Sequence, residues 1–282
     1  MIDCHAHTYH PYFDHQHLLQ HVFPGAHQTG VRAIIAVAES LTTAGTLLQL
    51  HSSLPTLPGP GMPQLHLGLG LHPVQHHPDS GHPSSAAPID LPPMLDVVRN
   101  HADSLACVGE IGLDFSPHVL RNTDAAPNDQ KDQQRLVFRQ QLALADELNL
   151  PVNVHSRNAG HHAVTELVQC NAQGALLHAF DGRPAHALKA ASAGYYLSVP
   201  PSVVRSEGFQ KLLAAVPLDR LVLESDAPAL GPVAGESNVP ANVAVSVKEI
   251  ARVKRVAEDE VVRLTTENAC RLFPRLRADF LQ

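Results

Sequence analysis

Eight short apolar runs recur along this 282-residue chain, each followed by a helical pattern or a long polar loop. They fall at residues 2–5, 31–37, 64–71, 105–111, 151–155, 175–179, 194–198 and 220–224. Residues 31–37 (VRAIIAV) are almost continuously apolar, as expected of a strand covered on both faces. Helical patterns are expected at 14–29, 42–53, from 94, at 131–149 and 161–171, from 184, at 202–215, and twice more before the end. In 131–149, Phe138, Leu142, Ala145 and Leu148 share a face suited to packing on a sheet. Alternation of this length predicts an α/β fold of the TIM-type (β/α)8 barrel class. An open doubly wound sheet is the competing architecture, but the first strand lacks the glycine-rich phosphate loop of that fold's nucleotide binders. With no internal repeat and no linker, residues 1–282 read as a single domain, with loops expected at 55–63, 74–93 and 116–130.

Charge and composition narrow the function. The formal charge of −7 argues against a broad electrostatic grip on long nucleic acid. Two divalent ions would bring it to about −3 and concentrate positive charge at one place, favouring ends, gaps or short pieces of a phosphate substrate. No apolar run is long enough to span a bilayer, and the N-terminus has no secretory pattern. An intracellular protein, cytoplasmic or nuclear, is expected, with no obligate protein partner readable. Cys4, Cys107, Cys170 and Cys270 show no C-x-x-C spacing and read as buried free thiols.

The active site of such a barrel lies at the C-terminal ends of its strands. Strand one ends in His5 and His7, whose i, i+2 spacing puts both imidazoles on one face. The chain has 20 histidines, and a second H-x-H pair, His15 and His17, falls in a helical pattern where i and i+2 diverge. Strand three ends in His72, strand four carries Glu110, strand five ends in His155, strand six in His178, and strand eight in Glu224-Ser225-Asp226. His5, His7, His155, His178, Glu110 and Asp226 exceed what one tetrahedral ion needs but suit two divalent ions sharing a carboxylate and a water. Each has a plainer reading as well: a turn residue for Glu110 or Asp226, a hydrogen-bonded core imidazole for His155 or His178.

Several stretches in order resemble TatD-type metal-dependent deoxyribonucleases: D-C-H-A-H from Asp3, G-E-I-G-L-D-F from Gly109, P-V-N-V-H-S-R from Pro151, L-L-H-A-F-D-G from Leu176, L-E-S-D-A-P from Leu223 and N-A-C-R-L-F from Asn268. The likeness spans essentially the whole chain. A-F-D-G-R-P, V-P-P-S and A-L-G-P look most like the third TatD-domain paralogue of animals. The resemblance implies two ions, the first on His5, His7, Glu110 and Asp226, the second on Glu110, His155 and His178, with Glu110 bridging. It also implies DNA as partner, at ends or damaged sites, with 3′-exonuclease or abasic-site cleavage. One departure is Ser237-Asn238-Val239-Pro240 where the family has R-N-x-P.

The expected mechanism is in-line attack by a water held between Zn²⁺, Mn²⁺ or Mg²⁺ ions, with Asp226 taking the proton. Arg157 would hold a phosphate oxygen, and His72 would contact the phosphate or a third ion. Asp114 reads as a loop brace outside the ligand set. A small-molecule amidohydrolase, lactonase or phosphoesterase on the same barrel is the main alternative, and a non-catalytic scaffold the other. Strand four offers Glu110 and no lysine for the carboxylated bridge many such amidohydrolases use.

Overall fold

The computed structural model describes residues 1–54, 61–76, 81–121 and 125–276. Eight parallel strands form one sheet in chain order: β1 (Ile2–Ala6), β2 (Ala33–Val37), β3 (Gln64–Leu69), β4 (Leu105–Gly112), β5 (Val152–His155), β6 (Ala175–Leu177), β7 (Tyr196–Val199) and β8 (Leu221–Leu223). Helices intervene, as in a TIM-type barrel.

The barrel closes where β8 meets β1, and there backbone bonds beyond the strands and a buried side chain complete what the strand ladder leaves open. His7 N–H donates to the Ala227 carbonyl at 2.8 Å and Asp226 N–H to the His5 carbonyl at 2.9 Å. Deeper in the seam the Asp3 carboxylate accepts from Ser225 N–H at 2.8 Å and from the Ser225 hydroxyl at 2.6 Å. Asp3 is fully buried, and burial lifts its carboxyl to about 8 against the opposing pull of those Ser225 bonds.

Two apolar clusters follow from strand alternation. One joins outward residues such as Ile34, Leu67, Val154 and Leu177 to helix residues such as Leu47, Phe138, Leu142, Val164 and Ile250. The other brings together Cys4, Ile35, Cys107, Leu176 and Val222 from five strands, a meeting only the barrel interior permits, with Phe273 and Leu276 from the C-terminal segment. Each fully buried Leu, Ile or Phe in these layers contributes roughly 1.5–3 kcal/mol before entropy is counted.

Helix boundaries have local causes. Leu41–Ser53 starts at Ser40, whose hydroxyl accepts Thr43 N–H while the Thr43 side chain takes the Ser40 N–H, a capping box. The expected helix at 14–29 is composite: Asp14 caps a short α turn, a π-helical stretch covers Leu18–Val22, and α-helix resumes over Phe23–Gln28. His15 and His17 are exposed there, away from the strand ends.

Two loop expectations need correction. Residues 74–93 hold an antiparallel hairpin, Val74–His76 with Pro83–Ser85, and the next helix begins at Leu91. Its strands are too short and polar to show periodicity, and Gln75 Nε2 pins them to the Glu39 and His72 carbonyls. The 116–130 segment contains a helical turn, Pro117–Leu120, and the helix expected from 131 starts at Pro127. Positions 55–60, 77–80 and 122–124 of the expected loops lie outside the described residues. Cys170 is exposed, unlike the other three thiols. Among the described residues no helix is long and apolar enough to cross a membrane.

Candidate metal centre

His5 lies in β1 and His7 just past its end, and both present Nε2 to the same space, 3.3 Å apart. Each ring is fixed from behind. His5 Nδ1 lies 2.9 Å from Asn153 Oδ1, and the Asn153 amide donates to the Cys4 carbonyl at 3.0 Å. His7 Nδ1 meets the Tyr9 hydroxyl at 3.1 Å and the Val37 carbonyl at 3.2 Å.

Glu110 enters from β4. Gly109 packs so tightly on Asn153 that a Cβ would lie 2.6 Å from the Asn153 Cβ. Gly112, at φ 139°, runs against the His155 backbone where any side chain would overlap its carbonyl. The glycines around Glu110 therefore serve close approach of β5, not a turn. Asp226 follows β8 at φ 53°, a left-handed conformation that aspartate tolerates. Asn238, from the departed family motif, is buried and donates to the Ser225 carbonyl at 2.7 Å, bracing that corner.

These elements bring four donor atoms to one point. His5 Nε2 is 3.5 Å from both Glu110 Oε2 and Asp226 Oδ1, and His7 Nε2 is 3.6 Å from each. Each nitrogen thus lies within 3.6 Å of the other and of both carboxylate oxygens, a donor set of the N and O type that divalent zinc takes. The other Glu110 oxygen, Oε1, faces a second set: His178 Nε2 at 2.8 Å, His155 Nδ1 at 2.9 Å and His72 Nε2 at 3.4 Å. His178 and His155 approach to 3.4 Å.

The sets His5–His7–Glu110, His72–Glu110–His155 and His5–His178–Glu224 each gather ligand atoms within reach of one ion. His72 thus stands in the ligand cluster itself, its Nδ1 anchored by Val74 N–H at 3.1 Å. Arg157 does not join the cluster; it is exposed on the loop after β5, where its positive charge acts on Asp181.

Charge coupling dominates the site. Burial alone would raise the Glu110 carboxyl, but His178, His72 and His5 together with the His155 hydrogen bond hold it well below the usual range. Asp226 behaves likewise: hydrogen bonds from His5 and His7 outweigh burial and lower it. Burial opposes protonation of His7, yet the Asp226 hydrogen bond and the charges of Glu39 and Glu110 lift it to about 9. His178 is raised in the same way, against burial, by Glu110 and then Glu224.

Residues outside the expected set orient the ligand-type side chains. Asp114 Oδ2 lies 2.9 Å from His155 Nε2 while its Oδ1 accepts Ser116 N–H at 2.8 Å. It braces its loop, as expected, and also holds a ligand-type imidazole, which was not. Glu224, fully buried, accepts from the Ser198 hydroxyl at 2.7 Å and Ala179 N–H at 3.0 Å, and stands 3.5 Å from His178 Nδ1. Among the described residues that nitrogen has no hydrogen-bond partner otherwise. Behind the loops that carry His72 and Asp114 stand two of the three buried glutamines of the helix Pro127–Glu147, bonded to backbone. Gln141 takes Leu71 N–H at 2.7 Å, and Gln134 takes Asp114 N–H at 2.8 Å. The sequence signal for these was a pair of glutamines on the apolar face of an otherwise amphipathic helix.

Comparison with known proteins places this geometry. The family profile described as TatD related DNase matches residues 2–274. Deoxyribonuclease TATDN3 of Homo sapiens is 42% identical over 277 residues, covering 98% of this chain and 96% of that protein. The uncharacterized metal-dependent hydrolase YabD of Bacillus subtilis is 35% identical over 177 residues, covering 61% and 66%. The crystal structure of YjjV, a TatD homologue from Escherichia coli, superposes with a TM-score of 0.77 at 26% identity, covering 97% of this chain and 98% of that one. The barrel, the strand-end ligand types and this match along nearly the full chain lead to one assignment: the chain belongs to the TatD-related DNase family of metal-dependent hydrolases.

Proposed function

We propose that this protein hydrolyses phosphodiester bonds in DNA, at strand ends as a 3′-exonuclease, at abasic sites, or both. The observation that carries the reading is the division of Glu110 between two donor sets, one per carboxylate oxygen. In it His5, His7, Glu110 and Asp226 would hold one divalent ion, and Glu110, His155 and His178 a second. Bound there, Zn²⁺, Mn²⁺ or Mg²⁺ would supply Lewis acidity toward phosphate and acidify water. Four imidazoles favour Zn²⁺ or Mn²⁺ over Mg²⁺ for tight binding.

The chain's own residues do the rest. Asp226, ionised at neutral pH because His5 and His7 lower it, serves as proton acceptor for the attacking water. Arg157, exposed two residues beyond His155, presents a planar fork to a phosphate oxygen. His72, with Nδ1 tied to Val74, keeps Nε2 directed at the cluster, for the phosphate or a third ion. The net charge of −7 keeps long duplex from being held along its length and leaves the mouth as the place of attraction.

The small-molecule reading is less supported. A likeness to dihydropyrimidinase from Brevibacillus agri, TM-score 0.60 at 13% identity over 96% of this chain and 70% of that one, is a likeness of barrel alone. Product analysis on end-labelled single-stranded, duplex and abasic DNA with defined metals tests the proposal. Metal-dependent shortening from the 3′ end or cleavage at the abasic site is expected. Turnover of cyclic amides or esters with no DNA cleavage would favour the amidohydrolase alternative.

A further inference from the structure

Two of the four tyrosines in the chain converge on one carboxylate beside the metal centre. Glu39 Oε2 accepts from the Tyr9 hydroxyl at 3.2 Å and from the Tyr12 hydroxyl at 2.7 Å. Tyr9 is fully buried and its hydroxyl also supports His7, so it belongs to the packing behind that ligand. Tyr12 differs. Its hydroxyl is tied down, yet 41% of the residue is open to solvent. Its ring centre lies 5.6 Å from that of His7 and 5.7 Å from that of Tyr9.

Leaving a large ring in water forgoes burial, and tying down its hydroxyl restricts its motion. The fold does both next to the place where a phosphate would enter. A fixed, solvent-exposed ring beside a phosphate site suits base stacking, and stacking is tolerant of sequence because every base has a π-face. We propose that Tyr12, anchored by Glu39, stacks on a nucleobase of the strand whose phosphate reaches the His5–His7–Glu110–Asp226 cluster. This rests on the DNA reading above and names how that substrate is positioned. Tyr12 is a base-binding residue, with Glu39 as the residue that positions it.

The test uses single-stranded trithymidylate and a counterpart in which all three bases are replaced by tetrahydrofuran. A tetrahydrofuran strand also mimics the abasic sites of the DNA reading, so the readout is the change from wild type on each strand. In the metal-loaded enzyme Tyr12→Ala should raise KM for trithymidylate by about 5- to 100-fold and that for the base-free strand by far less, and Tyr12→Trp should keep the wild-type ratio. A merely structural role would alter both substrates alike. An unchanged ratio of the two KM values in Tyr12→Ala overturns the proposal.

A binding measurement separates this from the DNA reading. The chain has no tryptophan, so Tyr12→Trp introduces a single reporter. Phosphorothioate trithymidylate should quench its fluorescence and the base-free phosphorothioate should not. If the protein cleaves no DNA, the hydrolysis reading fails, and quenching by bases alone still upholds stacking. Equal quenching by both strands, or none by either, overturns it.

Discussion

Asp114 stands behind His155, its Oδ2 2.9 Å from His155 Nε2, on the ring edge opposite the one that faces Glu110. An acidic partner on that edge fixes the tautomer and strengthens the other nitrogen as a ligand. His155 in turn, through its hydrogen bond and then its charge, overcomes burial and lowers the Asp114 carboxyl to about 2, with Ser116 assisting.

Replacing Asp114 with asparagine keeps the shape but takes away the charge. We expect about a 10- to 100-fold weaker affinity for the ion on the His155 side, with the fold retained. Calorimetric titration of metal into the stripped variant, with circular dichroism as control, measures both. Unchanged affinity would show that Asp114 only braces its loop.

Metal affinity should rise with pH. His7 is lifted to about 9 and His178 is raised in the same direction, so an ion displaces protons from both at neutral pH. For each proton displaced, apparent affinity should gain about tenfold per pH unit, and for His7 that gain should level off near pH 9. The sign for the metal-free fold is opposite. A raised histidine stabilises fully below its unfolded value near 6.5, and that contribution, a few kcal/mol at most, is lost as pH rises through about 9. Thermal melts of stripped protein from pH 6.5 to 10 should therefore fall, and metal-loaded protein should not follow them.

The seam between β8 and β1 makes a separate stability prediction. Asp3→Ala leaves the buried Ser225 N–H and hydroxyl without their acceptor and should cost about 2–4 kcal/mol in urea unfolding. Asp3→Asn, which keeps one acceptor oxygen, should cost less. Equal losses would mean that packing volume matters there and the hydrogen bonds do not.

On the helix Pro127–Glu147, Gln141→Leu should cost about 1–3 kcal/mol by stranding the Leu71 N–H and carbonyl. Because Leu71 precedes His72, the same change should lower activity more than a surface substitution of equal stability cost. Urea unfolding alongside kcat/KM checks it.

The sequence carried the barrel and the strand-end ligand types because parallel strands that alternate with helices leave one rim for function. Position along a strand is local information, and it was enough to separate His5 and His7 from His15 and His17. The supports were not local. Asn153 reaches His5, Asp114 reaches His155 and Glu224 reaches His178 across 148, 41 and 46 positions, and each contact depends on register between strands. His72 read as a contact to the phosphate or a third ion, but a single residue after a strand end does not reveal that the following hairpin ties its Nδ1 while its Nε2 turns toward Glu110. Tyr12 gave no signal, since its proximity to Glu39 follows from where the loop after β1 crosses the end of β2.

The central claim is that Glu110 joins two ion positions through separate oxygens. Metal content per chain, measured by mass spectrometry on wild type and Glu110→Ala after equilibration with Zn²⁺ or Mn²⁺, tests it most directly when paired with hydrolysis of the same preparations. The account predicts two ions in the wild type, fewer than two in the variant, and a loss of activity exceeding about a hundredfold, since supporting residues alone are worth 10- to 100-fold. A Glu110→Ala protein that still held two ions and cleaved DNA at the wild-type rate would contradict it.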